Sequence, residues 1–555
     1  METAEGPVTD REGIADVLCD RFFPVAVPLQ PPPAFTRPSV PEWNIDCNVS
    51  SEQIAEALRD TGPWKAAGID GIPSGFLRDA GPEVHACIAK LARASLHHQH
   101  WPTVWKESRV VPIPKPGKSA REKRKAGAWR PISLLSTTGK IIEKVVAQRL
   151  AEALDPYLPG GQMGNRPGRS TEVAVRAVQE FAQRCGSKRQ ALLLQLDIAG
   201  AFDRVDHEWL IHELSMKGAP FYVTNWLTSY LAGRHAALSL NSEDTGLRPV
   251  RSGVPQGSPL SPILFITFIA SMHEQIESGI PGVTGIEFAD DTNLLICAKN
   301  RAQAEESVQF GYKLLAEWAK MRGVVFEPAK STLLALNVHT SNQWKSHPLS
   351  LDGHEVKVQD SSRFLGMQLH RSGTGKLQGD AVLAAVKNRA QLLQNLGRKS
   401  EVGYETLRVL WKTGLRPTLT YVPAALAHAG ITQVQMDKLE AAQSMALRVY
   451  TGAQKSTPLP RLRVEAACEP LQEYLVHRAA RSEARVVESP AWKSVLTQIV
   501  RATDTSPDES FPRTEHQRKV NVLSVDGFAM ETGEEDAEGV DIGAQWVFDE
   551  ASDGS

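Results

Sequence analysis

Two stretches decide the fold: ALLLQLD, residues 191–197, and GIEFADDTNLLIC, residues 285–297. The first is a continuous apolar run that stops at a carboxylate. It reads as a central β-strand with both faces covered. The second reads as two short apolar strands hinged on Asp290-Asp291, a β-hairpin. Adjacent aspartates on a turn repel, and each raises the other's pKa. A divalent cation removes that cost, and hard Mg²⁺ prefers a few carboxylates together with substrate phosphates. Two such ions can activate an attacking oxygen and stabilise a leaving one in phosphoryl transfer. An Asp-Asp turn by itself is also an ordinary solvated turn.

Between these sites stands SGVPQGSPLSPILF, residues 252–265. Gly253, Pro255 and Gly257 predict a tight loop before an apolar helix. Gln256 places an amide where it can hydrogen-bond a ligand. Further out, Ser50 and Gln53 form a capping-box pattern before a helix at 51–61. Residues 81–100, 138–153, 302–321 and most of 381–450 are helical in pattern. Residues 24–41 are Pro-rich and predict an extended connector. The segment 105–130 carries nine Lys/Arg against two Glu and, seen alone, reads as a basic loop. The last fifty residues are polar, acidic and without periodicity, which predicts disorder.

Taken in order, WRPISLL (129–135), LDIAGAFD (196–203), SGVPQGSPLSPILF, FADD (288–291) and RFLG (363–366) resemble the polymerase domain of a reverse transcriptase. They are most similar to those of non-LTR, LINE-type retrotransposons. WKAAGIDGIP (64–73), VWKESRVVPIPKPGK (104–118) and GNRPGRST (164–171) sit where that group carries similar segments. The resemblance covers about residues 42–470. It implies an α+β right-hand polymerase with an antiparallel palm sheet and a mostly helical thumb. The domains would be an N-terminal extension with its connector (1–41), a fingers region (42–190), a palm with interspersed fingers elements (191–370), a thumb-like region (371–475) and a tail (476–555).

The resemblance also assigns roles. Asp197 and Asp290 would ligate two Mg²⁺ ions, for which Mn²⁺ can substitute. The Ile198 carbonyl would assist, and Asp291 would complete the acidic cluster. Lys115, Arg130, Gln256 and Lys330 would bind the incoming dNTP. Phe202 would exclude a 2′-hydroxyl, the feature that separates RNA from DNA precursors; the weaker alternative is a core phenylalanine beside the strand end. Arg166 and Arg169 would face the template. Phe364, Leu365 and Gly366 would hold the primer end. The implied activity is RNA-directed DNA synthesis on an RNA template from a DNA primer or nicked target end. A group II intron maturase and a non-catalytic RNA-binding relic are the alternatives. Asp203 reads as structural, pairing with Arg204 or a backbone donor. His97, His98 and His100 read as an exposed helix end.

Six scattered cysteines without a CxxC pair predict free thiols in a reducing compartment. The polar N-terminus and the lack of a long apolar stretch predict an intracellular protein of nucleus or cytoplasm, neither secreted nor membrane-spanning. Nothing in residues 1–41 matches the endonuclease that such elements carry. Asp553-Gly554-Ser555 resembles the opening of a ribonuclease H motif, so a fragment of a longer reading frame is expected. The formal net charge of −2 suggests no nucleic-acid partner. Residues 504–555, however, hold fourteen Asp/Glu against three Lys/Arg, which leaves the rest of the chain at +9. Near-neutrality therefore hides a basic body.

Overall fold

The computed structural model describes residues 1–3, 6–34, 40–337, 349–356, 358–373, 375–398, 402–421 and 431–503. These belong to a unit spanning Met1–Pro507. The expected disordered tail from residue 504 on, with Asp553, lies outside the described residues. The architecture is mixed: two five-stranded sheets, helices packed on them, and a C-terminal helical region.

The central strand Gln190–Leu196 forms as its apolar run dictates. Its side chains alternate between two cores. Leu192, Leu194 and Leu196 join the large core that includes helix Ser261–Gly279. Ala191 and Leu193 join a second core with helices Thr171–Cys185 and Pro490–Thr503. Leu192, Leu193 and Leu194 are fully buried. Each such side chain contributes on the order of 1.5–3 kcal/mol. Strand Asp291–Ala298 pairs antiparallel with Gln190–Leu196 on one side and with Val283–Phe288 on the other. Strand Thr332–Ala335 completes the other flank, also antiparallel. The edge pair Leu333–Val358 is parallel, so this sheet is not wholly antiparallel.

The second sheet departs from expectation. Within the segment read as a basic loop, Glu107–Pro114 is a strand, antiparallel to Trp129–Leu135 and parallel to Arg234–Leu240. Alternation in ESRVVPIP buries Ser108 and Val110, while the charged residues cluster in the connection that follows. A helix not expected from the sequence, Arg11–Phe22, covers this sheet. Asp10 caps it by accepting from the Gly13 amide at 2.8 Å. Its Ala15, Leu18, Cys19 and Phe22 pack with Val110, Ala236 and Leu238.

Helices Ser51–Arg59, Pro82–His97, Thr137–Leu154 and Arg301–Arg322 form where expected, the first with both hydrogen bonds of its capping box. His97, His98 and His100 are exposed, whereas Trp101 and Trp105 are core. Helices Lys376–Gly397 and Gln433–Thr451 pack together around Trp411 and Tyr450.

The stretch after residue 475 is helical up to Thr503. Residues 476–503, expected as the start of a tail, continue helix Leu471–Glu488 and form helix Pro490–Thr503. Trp492, Val495 and Ile499 cover the second face of the central sheet. A strand buried on both faces requires that layer. None of the helices among the described residues is long and apolar enough to cross a membrane.

Candidate active site

The ladder register sets the site. Thr292 pairs with Leu196, so one step further Asp291 and Asp197 face each other at two adjacent strand ends. Phe288 pairs with Asp291, which makes Ala289-Asp290 a two-residue turn with Ala289 at φ +57°. All three carboxylates therefore gather at one sheet end. Asp291 shows the consequence: its carboxyl is pushed up to about 6, first by the protein packed around it and then by the charges of Asp290 and Asp197.

The chain beyond Asp197 is held by residues 325–327. The Glu327 amide donates to the Asp197 carbonyl at 3.0 Å, and the Ala199 amide to Val325 at 2.9 Å. Ile198 lies opposite Phe326, and its own carbonyl takes no part in those two bonds. The same segment delivers Lys330, whose Nζ is 2.9 Å from Oδ2 of Asp197 and also pairs with Glu327. Burial works against its charge, but the two carboxylates outweigh it and raise its pKa.

The glycine-rich loop is wedged beside the site. Gln256 accepts from the Ser133 amide through its carbonyl at 2.8 Å and donates through Nε2 to Oδ1 of Asp203 at 2.9 Å. Gly253 (φ +82°) and Gly257 (φ +131°) have no room for a side chain. A Cβ on either would lie 2.7 Å from a carbonyl oxygen, of Asp203 and of Ser133 respectively. Asp203 thus pairs with Gln256 rather than with Arg204 or a backbone donor. Burial pushes its carboxyl up to about 7, against the pull of Gln256, Arg21, Lys115 and Arg204.

Phe202 lies between the two readings offered for it. It is half-buried and stacks on Phe265, with centroids 4.8 Å apart and planes 20° apart. Arg130 is exposed on its strand, opposite Ile113. Lys115 follows the neighbouring strand, its amide bound to the Ala128 carbonyl at 2.8 Å. Burial lowers the Lys115 pKa, and so do the positive charges of Lys330, Arg21 and Arg130; Asp197 opposes them. Lys115 thus lies within electrostatic reach of three further cations and of Asp197, and of these Lys330 pairs directly with Asp197.

Arg166 and Arg169 do not face that space. Arg166 is buried and bound to its own loop, to Asp155 at 2.7 Å and to the carbonyls of Asp155, Pro159 and Gln162. Arg169 donates to the Gly160 carbonyl at 2.5 Å. The loop that they lock braces the aspartate hairpin: the Met163 amide donates to Glu287 at 2.8 Å, and a side chain on Gly164 would strike Ala289. Behind the hairpin, buried His273 bridges Glu287 at 2.5 Å and Glu277 at 2.8 Å. The RFLG segment is a separate hairpin with a two-residue turn, Leu365 at φ +45° and Gly366 at φ +85°. Phe364 is core, and the Leu365 carbonyl accepts from the Tyr421 hydroxyl at 2.5 Å. Beside it runs a groove of about 950 Å³ lined by Arg363, Gly366, Arg389, Leu392, Leu410 and Tyr421.

Among the described residues, no three His, Cys, Asp or Glu side chains close on one point as a ready metal cage. The donor set nevertheless fits a hard cation shared with phosphate oxygens. Asp197 is about half exposed and paired with the Lys330 ammonium, and Asp291 carries the repulsion of Asp290 and Asp197.

Residues 113–369 match the family model for reverse transcriptase (RNA-dependent DNA polymerase). The chain is 28% identical over 409 residues to the probable RNA-directed DNA polymerase from transposon BS of Drosophila melanogaster; the match covers 72% of this chain and 44% of that protein. It is 26% identical over 415 residues to the RNA-directed DNA polymerase from mobile element jockey of the same species, at 73% and 44% coverage. It is 27% identical over 374 residues to the retrovirus-related Pol polyprotein from type-1 retrotransposable element R1 of Bradysia coprophila, at 65% and 35%. The chain spans less than half the length of these relatives.

Proposed function

We propose, from the match of residues 113–369 to the reverse transcriptase family model and the likeness to polymerases of transposable elements, that the chain copies RNA into DNA, adding dNTPs to a primer 3′-hydroxyl. The observation that carries this reading is the convergence of Asp197, Asp290 and Asp291 at adjacent strand ends, with Lys330 paired to Asp197 and Lys115 within electrostatic reach of it. Carboxylates on one side and cations on the other suit a reacting phosphate whose charge grows in the transition state.

In this reading the central sheet is the palm, the sheet containing Glu107–Pro114 and Trp129–Leu135 belongs to the fingers, and the helices from Lys376 to Thr451 are the thumb. Asp197 and Asp290 would hold two Mg²⁺ ions with the Ile198 carbonyl assisting, and Asp291 would complete the negative field. Such ions lower the pKa of the attacking hydroxyl and neutralise the leaving oxygens. Lys115 and Arg130 would grip the triphosphate, the guanidinium in bidentate fashion. Lys330, paired with Asp197 and Glu327, would stay protonated and meet the departing pyrophosphate. Gln256, held by Asp203, would orient the nucleotide. Phe202, backed by Phe265, would lie under the sugar and exclude a 2′-hydroxyl. The turn Leu365-Gly366 would support the primer terminus, with the duplex along the groove beside it. The relatives are named for transposable elements, so the primer is read as a nicked target DNA end and the setting as intracellular, in nucleus or cytoplasm.

The test is extension of a DNA primer on an RNA template with dNTPs and Mg²⁺. Extension that stops on chelation and returns with Mg²⁺ or Mn²⁺ supports the reading. No extension on any RNA template, with the protein folded, overturns it.

A further inference from the structure

We propose that Arg21, carried by the helix Arg11–Phe22 outside the reverse transcriptase domain, is a polyphosphate-binding residue of the nucleotide site. The inference rests on the polymerase reading for its ligand, a nucleoside triphosphate, but its geometry is independent of it.

The helix is fixed on the sheet next to the site. Arg11 pairs with Glu243 at 2.7 Å, and Asp16 pairs with Arg248. Cys19 and Phe22 lie in the core beneath. Past Arg21 the chain is pinned again. Ser252, at the start of the glycine-rich loop, donates to the Pro24 carbonyl at 2.5 Å and accepts from the Ala26 amide at 3.1 Å. Arg21 therefore sits between two anchors, one on the sheet and one on the loop that carries Gln256.

Its guanidinium lies beside Gly200, three residues past Asp197. Nη1 of Arg21 lies 3.8 Å from the point that a Cβ on Gly200 would occupy, and Oδ2 of Asp203 lies 3.6 Å from the same point. Its charge acts on both Asp203 and Lys115. The arginines at the two neighbouring anchor points, Arg11 and Arg248, each have a carboxylate partner. Arg21 has no hydrogen bond or ion pair with any described residue, although a guanidinium offers five donors in a planar fork. Its charge adds instead to those of Arg130 and Lys330 in acting on Lys115. Like charges gathered at one place are unfavourable until an anion joins them. A triphosphate supplies several oxygens to such a cluster.

The experiment uses the full chain and two variants, Arg21→Gln and Arg21→Lys. It measures KM and kcat for a dNTP in RNA-templated extension, the affinity for the primer–template duplex, and the Kd for inorganic tripolyphosphate by calorimetry. Loss of a charge-assisted hydrogen bond corresponds to about tenfold or more in affinity. Arg21→Gln is expected to raise both KM and the tripolyphosphate Kd about tenfold, with kcat and duplex affinity little changed, and Arg21→Lys to recover part of the loss. Unchanged tripolyphosphate binding overturns the proposal. If KM then rises alone, Arg21 acts by holding Asp203; if duplex affinity falls, its phosphate belongs to a strand. A wild-type protein that extends no primer but still loses tripolyphosphate affinity on Arg21→Gln would sink the polymerase reading and leave this site standing.

Discussion

Glu287 and Asp290 stand three residues apart on one hairpin and are treated in opposite ways. Glu287 is 1% exposed and meets a buried histidine at 2.5 Å, with Glu277 on that histidine's other nitrogen. Asp290 and Asp291 sit at the open end beside a third carboxylate, with their mutual repulsion left in place. The back of the hairpin is neutralised by the protein itself, and the front is left for a charge that comes from outside. Paired buried carboxylates hold structure; unpaired clustered ones hold function at a cost in stability. The two ends should therefore fail differently when mutated.

The largest expected effect is at the front. Asp290→Asn removes a charge that the transition state needs, worth several kcal/mol, so extension should fall by roughly 10⁴-fold. Folding stability should not fall, because one repulsive partner is gone. Urea melts alongside extension assays check both halves. A variant that unfolds as it loses activity would erase the distinction between the two ends. The opposite pattern is expected at the back. His273→Ala leaves Glu287 buried without its cation, which costs about 3–5 kcal/mol. Chemical denaturation should show that loss. Whatever protein remains folded should keep the dNTP KM of wild type, since His273 touches no residue of the site.

This contrast was only half visible in the sequence. The front was legible: an apolar run ending in Asp197 and a doubled aspartate between two apolar runs are local patterns, and period-2 geometry brings their ends together. The back was not. Nothing in HEQIESG or TGIEF marks His273 and Glu287 as partners, because fourteen residues and a helix-to-strand transition separate them. Arg21 was hidden for the same reason, being supplied about 180 residues ahead of Asp203. Its helix left a signal, Asp10 as cap and Ile14, Leu18 and Phe22 at a spacing of four, but the signal says nothing of what the last turn faces. Arg166 gives no such signal, because a basic residue in a Gly/Pro loop looks the same in sequence whether it meets a phosphate or, as here, its own loop's carbonyls. Helix Pro490–Thr503 was read as tail since its stripe of Trp492, Val495 and Ile499 is short and borders an acidic segment.

The smallest effect separates the two ends by pH alone. Burial by itself would lower the His273 pKa, but Glu287 and Glu277 overcome it and hold the imidazole up to about 10, above its ordinary value of 6.5. A group raised on folding contributes stability that is complete below its unfolded pKa and is lost as pH climbs through the folded one. The His273 contribution should therefore be intact at pH 6 and decline steadily toward pH 10. Other groups titrate in that window, so wild type by itself proves little. The double variant His273→Gln with Glu287→Gln replaces the ion pair by neutral amides of similar shape, and its stability should carry no such slope. Subtracting the two denaturation curves, pH by pH, cancels what they share. A difference that falls from pH 6 to pH 10 means that the back of the hairpin is held by charge. A flat difference means that it is held by shape and hydrogen bonds, and the contrast with the aspartate end would then be one of exposure rather than of neutralisation.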